Sequence, residues 1–336
     1  MELAADDLIA QARAGDSDAF RELTEPHRRE LQAHCYRMLG SLQDAEDAVQ
    51  DTLLAAWQGL GGFAGRASLR TWLYGIATNR CLNVLRTASR RPARQWNIPG
   101  IEPPEPTRLS EAVWLEPYPD ALLADADGLP PGPEARYEQA ESISLAFVAA
   151  LQVLPPRQLA VLILRDVLGF RAAEVSGMLG STVESVNSAL KRARASMQQR
   201  QPAGGPPPPA AGSAAENAIV MKFTSAYQAA DIGAVVALLT DDVFMSMPPI
   251  PYEYQGRDLV ARFCGSLFAA GRAVDLVPAR ANGQPAFGAY LRASSGPRPA
   301  TGLITITLAG DLICATSRFE TSVLPWFGLP PSLPGR

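Results

Sequence analysis

The chain has 336 residues, of which 47% are hydrophobic, and 30 Lys and Arg against 34 Asp and Glu leave a formal net charge of −4. That length allows two or three domains with adequate cores, and the mildly acidic total argues against a protein that simply coats DNA. No apolar run approaches the roughly 20 residues that a membrane helix needs and no cleavable signal sequence opens the chain, so a cytoplasmic protein with no membrane contact is expected.

Cysteine and histidine usage narrows the chemistry further. Cys35, Cys81, Cys264 and Cys314 lie far apart with no CxxC spacing, and the only histidines are His27 and His34. Neither a zinc site nor a structural disulfide is expected, and no cofactor is implied. The adjacent His34 and Cys35 are read as packing residues of the first domain.

In chain order, the first informative element is the stretch from Asp44 to Trp57. Ala45, Val49, Thr52, Leu53, Ala56 and Trp57 recur at three- and four-residue steps, which puts them on one buried stripe of a helix. Asp44, Asp47 and Asp51 fall on another face with Gln50 beside them. Ser41 and Asp44 form a capping box at its start. An acidic amphipathic helix is by itself an ordinary solvated surface. From Phe63 to Arg86, however, the chemistry turns basic with interleaved aromatics, and the basic run continues to Arg94. Aromatic rings stack on unpaired bases for roughly 1 to 3 kcal/mol each, and arginines supply phosphate and cation–π contacts. Trp72, Leu73, Ile76 and Leu82 are equally suited to a helix core.

Together these segments resemble the second conserved domain of bacterial sigma factors of the extracytoplasmic-function (ECF) group, with the acid-rich helix "DAEDAVQDTLLAAW" followed by "SLRTWLYGIATNRCLNVLR". The resemblance implies that Asp44, Asp47, Gln50, Asp51 and Trp57 grip the clamp coiled coil of core RNA polymerase. It implies that Arg66, Ser68, Arg70, Trp72, Tyr74, Asn79, Arg80 and Arg86 melt and read the promoter minus-ten element, with the Gly59 to Ser68 loop holding a flipped base. Asp51 stands where many members of the group carry glutamate, which keeps the charge and shortens the reach.

Residues 96–136 are rich in proline and acids, a composition that cannot build its own core, and are expected to be a flexible linker. Their "WLEPYPD" string resembles a segment of the subgroup that carries an extra C-terminal domain. In residues 137–200, Pro155-Pro156 opens a helix through Leu159, Leu162 and Ile163. A short helix from Arg171 stops at Gly180, and Ser181-Thr-Val-Glu184 reads as a second capping box. On the last helix Val183, Val186, Leu190, Ala193 and Met197 are expected to bury. Glu184, Asn187, Ser188, Lys191 and Arg194 then face outward as a major groove requires. The "LKRARASM" close resembles that of the fourth sigma domain. Ser181, Glu184, Asn187, Ser188, Lys191, Arg192 and Arg194 are accordingly the implied contacts to the minus-thirty-five element of promoter DNA, although Asn187 and Ala189 replace commonly basic positions.

Residues 201–215 are a Pro/Gly/Ala hinge, after which 216–336 form a third folded unit. Val220, Phe223 and Tyr227 mark one amphipathic helix, with others near Ile232–Leu239 and Asp258–Phe268. Leu303–Leu308, Gly310-Asp311 and Leu312–Phe319 read as a β-hairpin. Helices followed by strands predict an α+β cone, and the order resembles SnoaL-like members of the NTF2-like superfamily. Asp242, Tyr252, Tyr254, Arg257, Tyr290 and Arg318 are candidate pocket residues with no catalysis assigned, since no histidine lies beyond the first domain. The fold class is thus multidomain: two all-α sigma domains, 1–95 and 137–200, the second with a helix-turn-helix, followed by the α+β SnoaL-like cone.

The resemblance implies that this cone regulates in cis through an intramolecular contact with the sigma domains or the linker. The apolar tail Pro325–Pro334 is read as having nothing local to pack on and as docking there. The competing function is a ligand-responsive helix-turn-helix regulator, which leaves the Asp44–Trp57 helix without a purpose. A polyketide-cyclase-like enzyme fused to a DNA-binding module is weakened by the missing histidine.

Overall fold

The computed structural model describes residues 2–88, 93–98, 100–110, 114–123, 144–198, 206–292 and 296–335. The chain divides into two compact units, Met1–Arg91 with Ala121–Gln201 and Pro92–Asp120 with Pro202–Arg336.

In the first unit, α1 (Glu2–Arg13), α2 (Ser17–Leu39), α3 (Leu42–Gly59) and α4 (Leu69–Ala88) come first. Their boundaries follow from local chemistry. Asp16 caps α2 by accepting from the backbone N–H groups of Asp18 and Ala19, and Gly40 ends it at φ +70°, a left-handed conformation that glycine adopts without a Cβ penalty. Ser41 then caps α3 at once, accepting from Asp44 N at 3.2 Å as the sequence predicts. Leu31, Cys35, Tyr36, Met38, Ala45, Leu73, Tyr74 and Cys81 are buried in the resulting core. His34 is buried with them, its Nε2 2.9 Å from Thr78 Oγ1 and its ring edge-on to Tyr74, so the packing role read for it holds.

The same unit continues with α5 (Leu145–Leu151), α6 (Pro156–Leu162), α7 (Ala172–Met178) and α8 (Val183–Gln198). Proline at the first turn of α6 costs no hydrogen bond there, and a single π-helical turn, Ile163–Val167, extends that helix. Gly180 at φ +56° turns the chain between α7 and α8. The cap of α8 is Thr182, whose Oγ1 accepts from Ser185 N at 3.2 Å, rather than the expected Ser181. Val183 consequently sits in the open first turn and is 36% exposed, not buried, while Val186, Leu190, Ala193 and Met197 are buried as read.

The second unit holds three helices, α9 (Ala214–Gln228), α10 (Ile232–Val236) and α11 (Arg257–Ala269), among the described residues. Its strands are β1 (Arg108–Leu109), β2 (Leu239–Met247), β3 (Ile250–Gln255), β4 (Val274–Ala281), β5 (Gln284–Leu291), β6 (Arg298–Ala309), β7 (Leu312–Phe319) and β8 (Ser332–Leu333). The sheet runs β1-β3-β2-β7-β6-β5-β4, with β8 on β6, and only the β2–β7 pair is parallel among the described strands. The β6–β7 hairpin falls where Gly310-Asp311 predicts it. The order differs from helices first and strands after, because β2 and β3 precede α11. Helix α10 ends at Val236, and Leu239, Val243, Met245 and Met247 are the buried residues of a strand that the preceding Val-Val-Ala-Leu-Leu run disguises as helix.

The Pro- and acid-rich linker departs most from its reading. In place of a flexible tether, its described residues as far as Asp120 are built into the second unit. Strand β1 pairs with β3 through Arg108↔Glu253 and Leu109↔Tyr252. Trp96 packs edge-on to Phe263 with centroids 5.6 Å apart and donates Nε1–H to the Ile101 carbonyl at 2.7 Å. Tyr254 donates its hydroxyl to Pro104 O at 2.9 Å, so this pocket candidate is held by the linker instead. Leu115 and Tyr118 of the WLEPYPD string are buried. The segment makes no core of its own; its apolar residues complete the core of the sheet, and residues 124–136 lie outside those described.

The tail also packs locally. A 3-10 turn, Thr321–Phe327, buries Val323 and Leu324, and Tyr290 donates its hydroxyl to Pro330 O at 2.9 Å. Leu329 enters the space that Gly288 leaves open, where a Cβ would come within 2.9 Å of Leu329 Cδ1. The expectation that Pro325–Pro334 lacks a local partner therefore fails, because a glycine on β5 makes a seat for it.

Candidate nucleic-acid interface

On α3, Asp47, Gln50 and Asp51 are exposed and Asp44 is half-buried, on the face opposite Ala45, Ala48, Val49, Thr52 and Ala56. Trp57 does not join them. Its ring is half-buried, edge-on to Phe20 at 5.1 Å, in a cluster with Ala12, Ala19, Leu60 and Phe63, so its place is in packing. Sequence reasoning missed Leu54, which is 56% exposed one turn beyond Gln50 on the acidic face. Its only sequence signal is a leucine outside the buried stripe. Carboxylates around a bare leucine form a surface that suits a basic partner with an apolar contact at its centre.

The basic segment separates into residues that are open and residues already engaged. Arg66, in the loop before α4, and Arg86, near the end of α4, are exposed; Arg80 is half-buried. Arg86 donates to Asn83 Oδ1. Ser68 is exposed but caps α4, accepting from Thr71 N at 3.0 Å. Trp72 is half-buried against Phe63, with ring centroids 5.0 Å apart. Arg70 donates Nε–H to Glu30 Oε2 at 2.9 Å and lies over the rings of Tyr74 and Phe170, at 4.8 and 5.1 Å from their centroids. Tyr74 is fully buried. Burial and the neighbouring Glu30 carboxylate push its phenol well above the ordinary range, as expected for a ring with no access to solvent. Arg70 and Tyr74 are thus structural in this arrangement, contrary to their assignment to the minus-ten contact. Glu30 shows the balance of forces at this cluster. Burial raises its pKa, but hydrogen bonds from His27 and Arg70 outweigh that and leave it below the usual value.

On α8, Glu184, Asn187, Ser188, Lys191, Arg192 and Arg194 are exposed on one side of the helix and Ser181 is half-buried in the turn before it. Arg194 is held by Asp166, which accepts from its Nε and Nη2 at 2.8 and 2.7 Å. This bidentate pair raises the Arg194 pKa and holds the guanidinium on Asp166. Asn187, Lys191 and Arg192 keep side chains able to meet base edges and phosphates.

Residues 23–91 match Sigma-70 region 2 and residues 144–197 match Sigma-70 region 4. Along 329 residues the chain is 43% identical to the ECF RNA polymerase sigma factor SigG of Mycobacterium tuberculosis (strain ATCC 25618 / H37Rv), covering 96% of this chain and 86% of that protein. This chain is an ECF RNA polymerase sigma factor. It is also 32% identical over 191 residues to the ECF RNA polymerase sigma factor SigM of Mycobacterium tuberculosis (strain ATCC 25618 / H37Rv), covering 57% of this chain and 81% of that protein. The crystal structure of the Mycobacterium tuberculosis ECF sigma factor SigJ shares the fold, with a TM-score of 0.59 and 24% identity over 90% of this chain and 97% of that one. As a sigma factor the chain directs transcription initiation and is not an enzyme.

In this sigma factor the region 4 helices meet region 2 within one compact unit. Asn79 donates its amide to the Gly75 and Met178 carbonyls at 2.8 and 3.0 Å, tying α4 to the end of α7. Gly75 faces Met178 across this contact, where a Cβ would sit at ordinary van der Waals distance, 3.4 Å, from Met178 Cγ. Gln152 Nε2 reaches Arg37 O at 3.2 Å from the other side. A minus-ten candidate therefore spends its side chain on the helix-turn-helix. Asn79→Ala is expected to lower unfolding free energy by about 1 kcal/mol in urea titrations, whereas Arg66→Ala on the open loop leaves it unchanged.

The pocket candidates disperse. Asp242 is exposed, Arg257 donates to Leu239 O at 2.6 Å and pairs with Asp241 at 3.0 Å, and Tyr290 is committed to the tail. Tyr252 sits on β3, half-buried beside β1. Of the six candidates only Arg318 lines the apolar cavity between the helices and the sheet of the second unit. Among the described residues there is no group of His, Cys, Asp and Glu able to hold a metal ion, and no helix is long and apolar enough to cross a membrane.

Proposed function

We propose that α3 docks core RNA polymerase through Asp47, Gln50, Asp51 and Leu54. Arg66, Arg80 and Arg86 contact the minus-ten element, and Glu184, Asn187, Ser188, Lys191 and Arg192 contact the minus-thirty-five element. The third unit regulates this activity in cis by holding the linker between the two sigma regions.

The observation that carries the regulatory part is the grip of the β4–β5 turn on the linker. Asn282 adopts φ +55° and Gly283 φ +74°, a left-handed pair that turns their amides outward. Tyr118 N donates to Asn282 Oδ1 at 2.7 Å and Asn282 N donates to Tyr118 O at 2.8 Å. Gly283 N donates to Asp120 Oδ1 at 2.8 Å, and Arg280, itself paired with Glu216, reaches Asp120 Oδ2 at 3.3 Å. A turn that satisfies the linker backbone on both sides restricts where the linker can travel when polymerase and promoter engage the sigma regions.

The test is run-off transcription with core RNA polymerase, comparing the full chain, the Asn282→Ala variant and a chain ending at Gln201. Removing the Asn282 amide breaks one bond to a buried backbone N–H, an expected loss of roughly 1 to 3 kcal/mol at this contact. Transcript yield is expected to change several-fold in the same direction for the variant and the truncation. Equal yields from all three proteins would overturn regulation by the third domain.

A further inference from the structure

A cavity of about 30 Å³ lies inside the second unit, between helices α9, α10 and α11 and strands β2, β6 and β7. Its walls are mainly apolar, with Phe223, Met245, Phe263, Leu267 and Ile304 among them. A water requires roughly 10 to 15 Å³ measured this way, so the space accepts two or three atoms of that size and not a large ring system.

One charged side chain enters this wall. Arg318, on β7, donates Nη2–H to the Thr301 carbonyl at 2.7 Å and forms no ion pair among the described residues. Arg318 is half-buried, and an arginine drawn this far into an apolar wall is normally matched by a carboxylate, because the cost of taking the charge partly out of water must be offset. The nearest influences do not offset it. Glu320 is already bonded to Arg94 at 2.7 Å, and Arg272 adds a second guanidinium that makes no ion pair among the described residues. Burial, with Arg272 adding to it, outweighs the opposing influence of Tyr227 and Glu320 and leaves the Arg318 pKa below the ordinary arginine value. An excess of positive charge at one end of a small apolar cavity is complementary to a molecule with a negative head and a short apolar tail.

We propose that this cavity binds a small aliphatic monocarboxylate, its carboxylate on the free N–H groups of Arg318 and its alkyl chain among Phe223, Met245 and Phe263. Arginine suits a carboxylate in particular, since its planar fork gives two parallel hydrogen bonds to the two oxygens. The inference stands apart from the linker grip, because binding is read directly and not through transcription.

The experiment is isothermal titration calorimetry on the full chain with straight-chain carboxylates from acetate to octanoate, the corresponding primary amides, and inorganic phosphate. One-to-one saturable binding is expected for the short members, with affinity falling again as the chain outgrows the cavity. The matching amides are expected to bind at least tenfold more weakly, and Arg318→Gln is expected to lose at least tenfold in affinity. Ile304→Phe, which fills the cavity and leaves Arg318 in place, guards against an Arg318 variant that fails to fold, and it is expected to abolish binding. Absence of saturable binding by every carboxylate, equal binding of the amides or of phosphate, or undiminished binding by a folded Arg318→Gln or Ile304→Phe protein would overturn the proposal.

Discussion

Asp47→Arg with Asp51→Arg is expected to abolish transcription that depends on this sigma factor, by about 100-fold or more, while the protein stays folded. Both carboxylates are exposed on α3, four residues apart on the same face, and neither makes an ion pair among the described residues. Their replacement removes no internal contact, so stability should move by no more than about 0.5 kcal/mol. If this face meets a basic surface of polymerase, the reversal turns two attractions into two repulsions. Like-charge contacts across an interface cost several kcal/mol, and about 2.8 kcal/mol already corresponds to roughly 100-fold. Run-off yield and direct polymerase affinity should fall together, and the loss should be smaller at high salt. Retained affinity would remove α3 as the docking helix. Leu54→Glu should act in the same direction by a smaller step, because it disturbs the apolar centre of the face and leaves its charges attractive in sign.

Acidification from pH 7 to 4.5 should destabilise the first unit strongly through His34, and His34→Gln should remove that part of the effect. The imidazole is fully buried between α2 and α4, and its Nδ1 has no hydrogen-bond partner. Burial first, and then the positive charges of Arg37 and Arg70, lower its pKa from 6.5 to about 3. The unfolded chain therefore binds a proton between about pH 6.5 and 3 that the folded chain refuses. The stabilising contribution is fully present above 6.5 and is lost as pH falls, by about 1.4 kcal/mol for each unit below the unfolded pKa. Urea unfolding at pH 7 and pH 4.5 should show the original protein losing roughly 2 to 3 kcal/mol more than the His34→Gln variant. Equal losses would mean that His34 takes up its proton in the folded state. The acid loss arising from Glu30 belongs to a lower window. Its folded pKa lies below the unfolded one, so its contribution is present above the ordinary carboxylate value and disappears only as pH falls through the depressed one.

Of the fold, the helical regions were the most legible in the sequence. Ser41 with Asp44, Pro155-Pro156 and Gly180 are local signals, and local hydrogen bonding or backbone conformation is enough to set helix ends there. The period of α8 likewise separated Val186, Leu190, Ala193 and Met197 from Asn187, Ser188, Lys191 and Arg192. Errors arose where one residue type serves two purposes. An aromatic or arginine in a basic segment reads equally as a base contact or as a packing residue, and Arg70 and Tyr74 are packed because Glu30 and Phe170 come to them from elsewhere in the chain; Trp57, read both as a stripe residue and as a polymerase contact, is packed on Phe20. Leu54 was missed for the converse reason, since a leucine is assumed to be inside until its surroundings are seen.

By itself the sequence determined the class of the protein: an acidic amphipathic helix, a basic aromatic segment and a helix-turn-helix in that order are one-dimensional patterns whose spacing survives without coordinates. Only the tertiary structure decided which of those side chains remain available. It joined Asn79 to Met178, laid the Pro-rich linker on a strand edge and an Asn-Gly turn, seated the tail on Gly288, and left Arg318 in an apolar cavity without a carboxylate. The physical reason is common to all four. Each depends on satisfying or failing to satisfy a backbone amide, a void or a charge with a partner far away in sequence, and such partners leave no periodic trace in the segment that needs them.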